Sequence, residues 1–427
     1  MATVAYKCPN CASPLTYDGA TGKMICTACD SQFDQAAIEA LNAPEDGGSV
    51  DFALPTEEYT AADTAQMQAY HCKTCGAELI TEETTTATEC PYCGSPTILP
   101  DRIDGGIRPE LVVPFVITKE QAQQAFESYF KGKKLLPNIF KKDNQIAEMR
   151  KLFVPYWLFD CQAQGDVTYR AEKRHTRREG EYEVTTVENY LVRRAGSMRF
   201  ENIPVDGSVK MDDKITESLE PYDLTKAVVF QPTVLSGAMA DHADVDAAAC
   251  EKRAVQRVEN SMVNALRNTV HGYSNVQLRS KYLSSSGEKV TPVLLPVWLI
   301  TTEKDGQTYT FAINGQTGKL TCNVPTDKKK AFLWGAGAFA GVFGVAALVL
   351  YLMKMLESGT LLIAGLLALF AAVAVVSVLI GQLKQAASQA SAAGYSDGCE
   401  LHVQYDHFLY ANTTRRKIET QSKSESA

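Results

Sequence analysis

The sequence predicts a multidomain chain: two N-terminal zinc ribbons, which are small β modules, then a mixed α+β cytoplasmic domain, a two-helix transmembrane hairpin and a short cytoplasmic tail. Three observations predict it. Eight of the twelve cysteines fall in four CxxC pairs, two uncharged apolar runs lie close together near the C-terminus, and about 220 residues of mixed strand and helix patterning separate the two features. A chain of 427 residues leaves room for one such domain plus small modules. The net charge of −8 argues against sequence-independent nucleic-acid binding, which needs a basic surface to release counterions.

Residues 1–33 and 70–100 repeat one spacing. Cys8, Cys11, Cys26 and Cys29 give C-x2-C-x14-C-x2-C, as do Cys72, Cys75, Cys90 and Cys93. A CxxC turn sets two thiolates on one edge of a tetrahedral site, and the intervening hairpin returns the second pair. Two full quartets outside a βαβ context read as two structural Zn2+ sites rather than redox dithiols. Four thiolates leave no position open for water, so such a metal stabilises and does not catalyse. Gly76 and Gly94 supply the left-handed residue that a knuckle needs, where the first ribbon has Ala12 and Asp30. Residues 34–69 are expected to be an acidic flexible linker, since no Lys or Arg occurs between Met24 and Cys72.

Residues 108–326 are the expected α+β domain. Val113-Pro114-Phe115, Val154-Pro155-Tyr156-Trp157 and Leu295-Pro296-Val297-Trp298 each read as an apolar strand with proline near its start, where a missing ladder donor is tolerated. Thr118 and Gln121 form a capping box that opens a helix running to about Phe130. A second helix over about 244–270 carries Val255, Val258, Met262, Val263 and Leu266 at helical spacing. Within residues 166–200 a strand pair gathers Arg170, Lys173, Arg174, Arg177 and Arg178, a candidate surface for anionic headgroups. Residues 314–319 form a turn without the phosphate-loop pattern. His175, His242, His271, His402 and His407 lack a neighbouring nucleophile or ligand spacing, so no catalytic residue is expected.

Residues 331–381 are the expected hairpin. Its runs at 331–353 and 361–380 can each cross a bilayer core of ~30 Å. Lys328-Lys329-Lys330 precedes the first, Lys384 follows the second, and Glu357-Ser358-Gly359-Thr360 between them carries no basic residue. The positive-inside rule then puts both termini in the cytoplasm. Gly337 and Gly341, with Ala364, Ala368 and Ala372, are expected to pack the spans together, a homo-oligomer through that face being the alternative. In the tail, 382–427, residues 382–396 read as a continuing helix and 401–410 alternate like a strand.

His71-Cys72-Lys73-Thr74-Cys75-Gly76, the three proline strands, Phe311-Ala312-Ile313-Asn314-Gly315-Gln316-Thr317-Gly318-Lys319 and the hairpin together resemble the bacterial membrane-anchored TFIIB-type zinc-ribbon proteins, often mislabelled primosomal helicase-like. The resemblance implies association with phage-shock and SPFH envelope-stress systems. It implies a non-enzymatic adaptor that recruits a cytoplasmic protein, of the SPFH type or a phage-shock coat protein, to the inner face of the cell membrane. The alternative is a membrane-tethered nucleic-acid binder using the ribbons and the basic hairpin.

Overall fold

The computed structural model of the chain describes residues 8, 13–18, 23–34, 38, 52–82, 89–95, 98–101, 106–137, 149–304, 307–322, 326–354, 357–381, 383 and 386–417. Strands β1 (Thr16–Asp18), β2 (Lys23–Ile25) and β3 (Gln32–Asp34) form a small sheet of their own. The large sheet has twelve strands. They are β4 (Met67–Cys72), β5 (Glu78–Glu82), β6 (Ile98–Asp101), β7 (Leu111–Val112), β8 (Arg150–Glu179), β9 (Tyr182–Asp206), β10 (Val228–Val229), β11 (Met239–Asp241), β12 (Asn275–Lys304), β13 (Gln307–Asn314), β14 (Leu320–Cys322) and β15 (Glu400–Lys417). The helices are α1 (Ala61–Thr64), α2 (Lys119–Phe130), α3 (Asp213–Leu219), α4 (Ala247–Asn268), α5 (Lys328–Leu352) and α6 (Ser358–Gly381).

The sheet is built on β8. Its opening run, Leu152-Phe153-Val154-Pro155-Tyr156-Trp157-Leu158-Phe159, is buried at every position, which is why it reads as continuously apolar. Leu152, Val154, Tyr156 and Leu158 pack on one side with α3 and the second cysteine module, whereas Trp157 and Phe159 face α4. Farther along, Cys161, Ala163, Val167, Tyr169 and Ala171 keep the α4 face with period two. The helix answers with Cys250, Ala254, Val258, Met262 and Leu266, and Asp246 caps it by accepting from the Ala249 amide at 2.7 Å. Gly165 marks the closest approach. A Cβ there would stand 2.7 Å from Met262 Cγ and 3.0 Å from Leu283 Cδ2.

Pro155 and Pro296 lie inside long strands, not near their starts as expected, and Pro114 follows β7 outside any strand. Pro155 pairs with Leu294, and Pro296 with Phe153. The reason is a pair of forks. On its other edge β8 changes partner at Pro155, from β11 at Leu152 and Phe153 to β9 from Tyr156 onward. Likewise β12 changes at Pro296, from β7 at Val293 and Leu294 to β13 from Val297 onward. A residue facing a junction has no ladder bond to lose, and each proline carbonyl is still used, by Gly207 N at 2.9 Å and Gly315 N at 2.8 Å.

Other expectations meet the structure differently. The capping box at Thr118 and Gln121 forms, and α2 ends at Phe130. The segment expected as a flexible linker is docked from Phe52 onward: Phe52 meets Phe159 edge-on at 5.0 Å, and Asp63 of α1 pairs with Arg108 at 2.9 Å. The supposed tail is part of the body rather than a continuing helix. Ala386 N donates to Cys322 O at 3.1 Å, Ala392 N to Ser261 Oγ at 2.7 Å, and Tyr395 Oη to Glu220 Oε2 at 2.6 Å. Glu220 is itself gripped bidentately by buried Arg257 at 2.6 and 3.0 Å. β15 then pairs with β9 from Glu400↔Ser197 to Lys417↔Tyr182, so its alternation extends well past residue 410.

Helices α5 and α6, of 25 and 24 residues, are long and apolar enough to cross a membrane, and their outward side chains, such as Phe332, Leu352 and Phe370, are exposed. Ala364, Ala368 and Ala372 are buried at their contact, as the spacing predicted. Gly337 and Gly341 are not there. Both are exposed, with open space around an added Cβ, and α5 instead approaches through Gly335 and Phe343.

Gly165→Val should cost about 1–3 kcal/mol through overpacking against Met262 and Leu283, read by denaturant unfolding of the detergent-solubilised chain.

Candidate metal centre

Two CxxC turns flank the hairpin of the second module, and backbone bonds shape each. Gly76 N donates to Cys72 O at 2.8 Å and Gly94 N to Cys90 O at 2.9 Å, with φ at +70° and +71°. Only a residue free of a Cβ clash turns the chain this way without strain. Thr74 Oγ1 donates to Ser95 Oγ at 2.8 Å and ties one turn to the other.

The result is one sulfur cluster. Cys72, Cys75, Cys90 and Cys93 bring their Sγ atoms within 4.8 Å of one another, with Cys72 to Cys93 at 3.7 Å and Cys75 to Cys90 at 3.6 Å. A tetrahedral ion with metal–sulfur bonds of ~2.3 Å holds its sulfurs about 3.8 Å apart, so the quartet fits a metal ion. Burial alone would raise the Cys72 thiol, but amide hydrogen bonds from Cys75 and Thr74 hold it down at about 7. Burial pushes Cys75 up to about 11, a penalty that a bound cation removes. In the first module Cys8, Cys26 and Cys29 also cluster, with Cys8 to Cys29 at 3.6 Å; Cys11 lies outside the described residues. Asp30 takes the left-handed conformation there, at φ +53°. Leu409 of β15 packs against this cluster.

The second site is part of the sheet body. β5 pairs with β11 (Ala240↔Ile80, Asp241↔Leu79), and β11 runs parallel to β8. Cys72 and Cys90 share an apolar cluster with Leu152, Val154 and Tyr156. Sequence reasoning missed the polar latch behind it. Buried Asp241 Oδ2 accepts from Tyr92 Oη and from Ser208 Oγ, both at 2.5 Å, and Lys210 Nζ donates to Cys75 O at 3.0 Å. The signal available was an aromatic between two ligands that ligation does not require.

The basic residues divide. Lys173 lies between the rings of Tyr190 and Tyr273, at 4.9 and 5.0 Å, and Arg170 stacks on Tyr410. Arg174, Arg177 and Arg178 are exposed on the extension of β8, β9 and β15 beyond Glu172, where β12 has ended. Arg177 and Arg415 both pair with Glu179, at 2.7 and 2.9 Å.

Burial pushes the Asp241 carboxyl up to about 7, against the hydrogen bonds from Ser208 and Tyr92. A carboxyl raised above its unfolded value near 3.9 favours folding at low pH, and that contribution is lost as pH rises to about 7. Asp241→Asn should therefore gain stability relative to the parent between pH 4 and 7, by at most about 4 kcal/mol, and level off above that. Denaturant unfolding at stepped pH measures it. Cys90→Ser should remove one metal equivalent per chain, read by elemental mass spectrometry, and lower the thermal midpoint of the whole body.

No family model matches the chain, and no solved structure does. The chain is 33% identical over 358 residues to the uncharacterized protein YdjG of Bacillus subtilis (strain 168), spanning 83% of this chain and 99% of that protein. At that identity and coverage, the chain belongs to the YdjG family.

Proposed function

We propose that the chain is a non-enzymatic adaptor anchored in a bacterial membrane by α5 and α6, with its zinc-bearing body on the cytoplasmic face. The observation that carries this reading is the closure of one sheet around the hairpin: β14 precedes α5, and after α6 the chain returns as β15 on the edge of β9. A hairpin inserted in a bilayer then leaves everything else on one side. Lys328-Lys329-Lys330 at the root of α5 supports the cytoplasmic side. The all-thiolate quartet supports zinc, held in a closed structural site.

The exposed turn at Lys73 and Thr74 and the strand extension with Arg174, Arg177 and Arg178 are the surfaces offered to a cytoplasmic partner, of the SPFH or phage-shock coat type that the family resemblance implies. The nucleic-acid reading has less support. Acids answer part of the basic charge of the extension, Glu179 for Arg177 and Arg415 and Glu181 for Lys417, and the chain as a whole carries a net charge of −8 that repels phosphates.

A photo-crosslinking residue at exposed Lys73, used in cells, should give a discrete protein adduct that disappears in the Cys90→Ser background. Adducts to RNA or DNA, or protein adducts that survive loss of the quartet, would contradict the adaptor.

A further inference from the structure

Next to the second metal module lies a cleft of about 810 Å³, a volume within the range of small-molecule sites. Three cations line it: Lys119 at the start of α2, and Arg150 and Lys151 at the start of β8. The acid among its lining residues, Glu89, is itself half exposed and takes Arg150 Nη2. The second nitrogen, Arg150 Nη1, is buried with no hydrogen-bond partner. An unanswered guanidinium N–H out of contact with water is destabilising, and with Nη2 held by Glu89 the nitrogen left for a phosphate oxygen is Nη1. Lys151 reaches no carboxylate among the described residues. Its ammonium stands 5.4 Å from the ring of Phe115 and 5.5 Å from that of Trp298.

The walls supply the other half of the specificity. Phe115 meets Trp298 edge-on at 5.4 Å and Phe153 at 5.1 Å, and Phe115 and Trp298 line the cleft. Trp298 belongs to the same apolar cluster that receives Ala331 of α5 and Leu379 of α6, so the cleft wall and the root of the hairpin are one packed unit. A ligand with a charged head and an apolar tail could enter from a bilayer surrounding that root. We propose that the cleft binds the phosphate group of an anionic amphiphile, with Arg150 and Lys151 on the phosphate and Phe115 and Trp298 against the apolar part. This holds whether or not the chain is an adaptor.

The test uses the full chain in a neutral sugar detergent, titrated by calorimetry with dihexanoyl phosphatidic acid, glycerol 3-phosphate and dihexanoyl phosphatidylcholine. Saturable binding of the phosphatidic acid is expected, at least tenfold weaker in Arg150→Gln and in Lys151→Gln, with little binding of the other two. Lys151→Gln breaks no ion pair, so an unchanged melting curve separates lost binding from lost folding. Glycerol phosphate binding as tightly, with the same sensitivity, would overturn the amphiphile and leave a free phosphate ester as the ligand. No saturable binding, or binding indifferent to both substitutions, would overturn the site.

Discussion

Backbone pairing along β8 is the interaction on which the large sheet and everything attached to it depend. One edge of this thirty-residue strand belongs to β12, and through β12, β13 and β14 the chain reaches the apolar hairpin. The other edge is shared. β11 takes the first residues and carries the second cysteine module; β9 takes the rest and carries β15. Removing β8 would separate the metal site, the hairpin and the returning tail from one another. Pro155 on β8 and Pro296 on β12 each sit where the ladder on the strand's far edge changes hands.

Two cross-links reinforce this framework. The sulfur quartet closes β4, β5 and β6 into a unit whose inner face is continuous with Leu152, Val154 and Tyr156, so a metal ion there holds part of the common core. Between the end of α3 and α4 the buried Arg257–Glu220 pair, capped by Tyr395, fixes the segment that returns from the hairpin. Breaking a buried pair by removing one partner typically costs about 3–5 kcal/mol, so the segment after α6 is held to the sheet body.

What was legible in the sequence was local. Cysteine spacing, the Thr118 capping box, the helical stripe on α4 and the two apolar spans each depend on residues a few positions apart, and each is present. What was not legible depends on partners far away in sequence. A proline in an apolar run looks like a strand start because the fork that tolerates it is created by β11 and β9, or by β7 and β13. An acidic stretch looks like a free linker until Phe52 finds Phe159 and Asp63 finds Arg108. Small residues every fourth position say which side chains share a helix face. They do not say which face meets the neighbour, and so Ala364, Ala368 and Ala372 pack while Gly337 and Gly341 look outward.

The cysteine quartet belongs to the sheet body and is not a separate module. Hydrogen exchange on the full chain, with and without a zinc chelator, tests it most directly. Stripping the metal should lower protection in β4 and β5 and also in Met239–Asp241 and the opening run of β8, which those strands cover. Loss of protection confined to residues 67–101, with β11 and β8 unchanged, would contradict it.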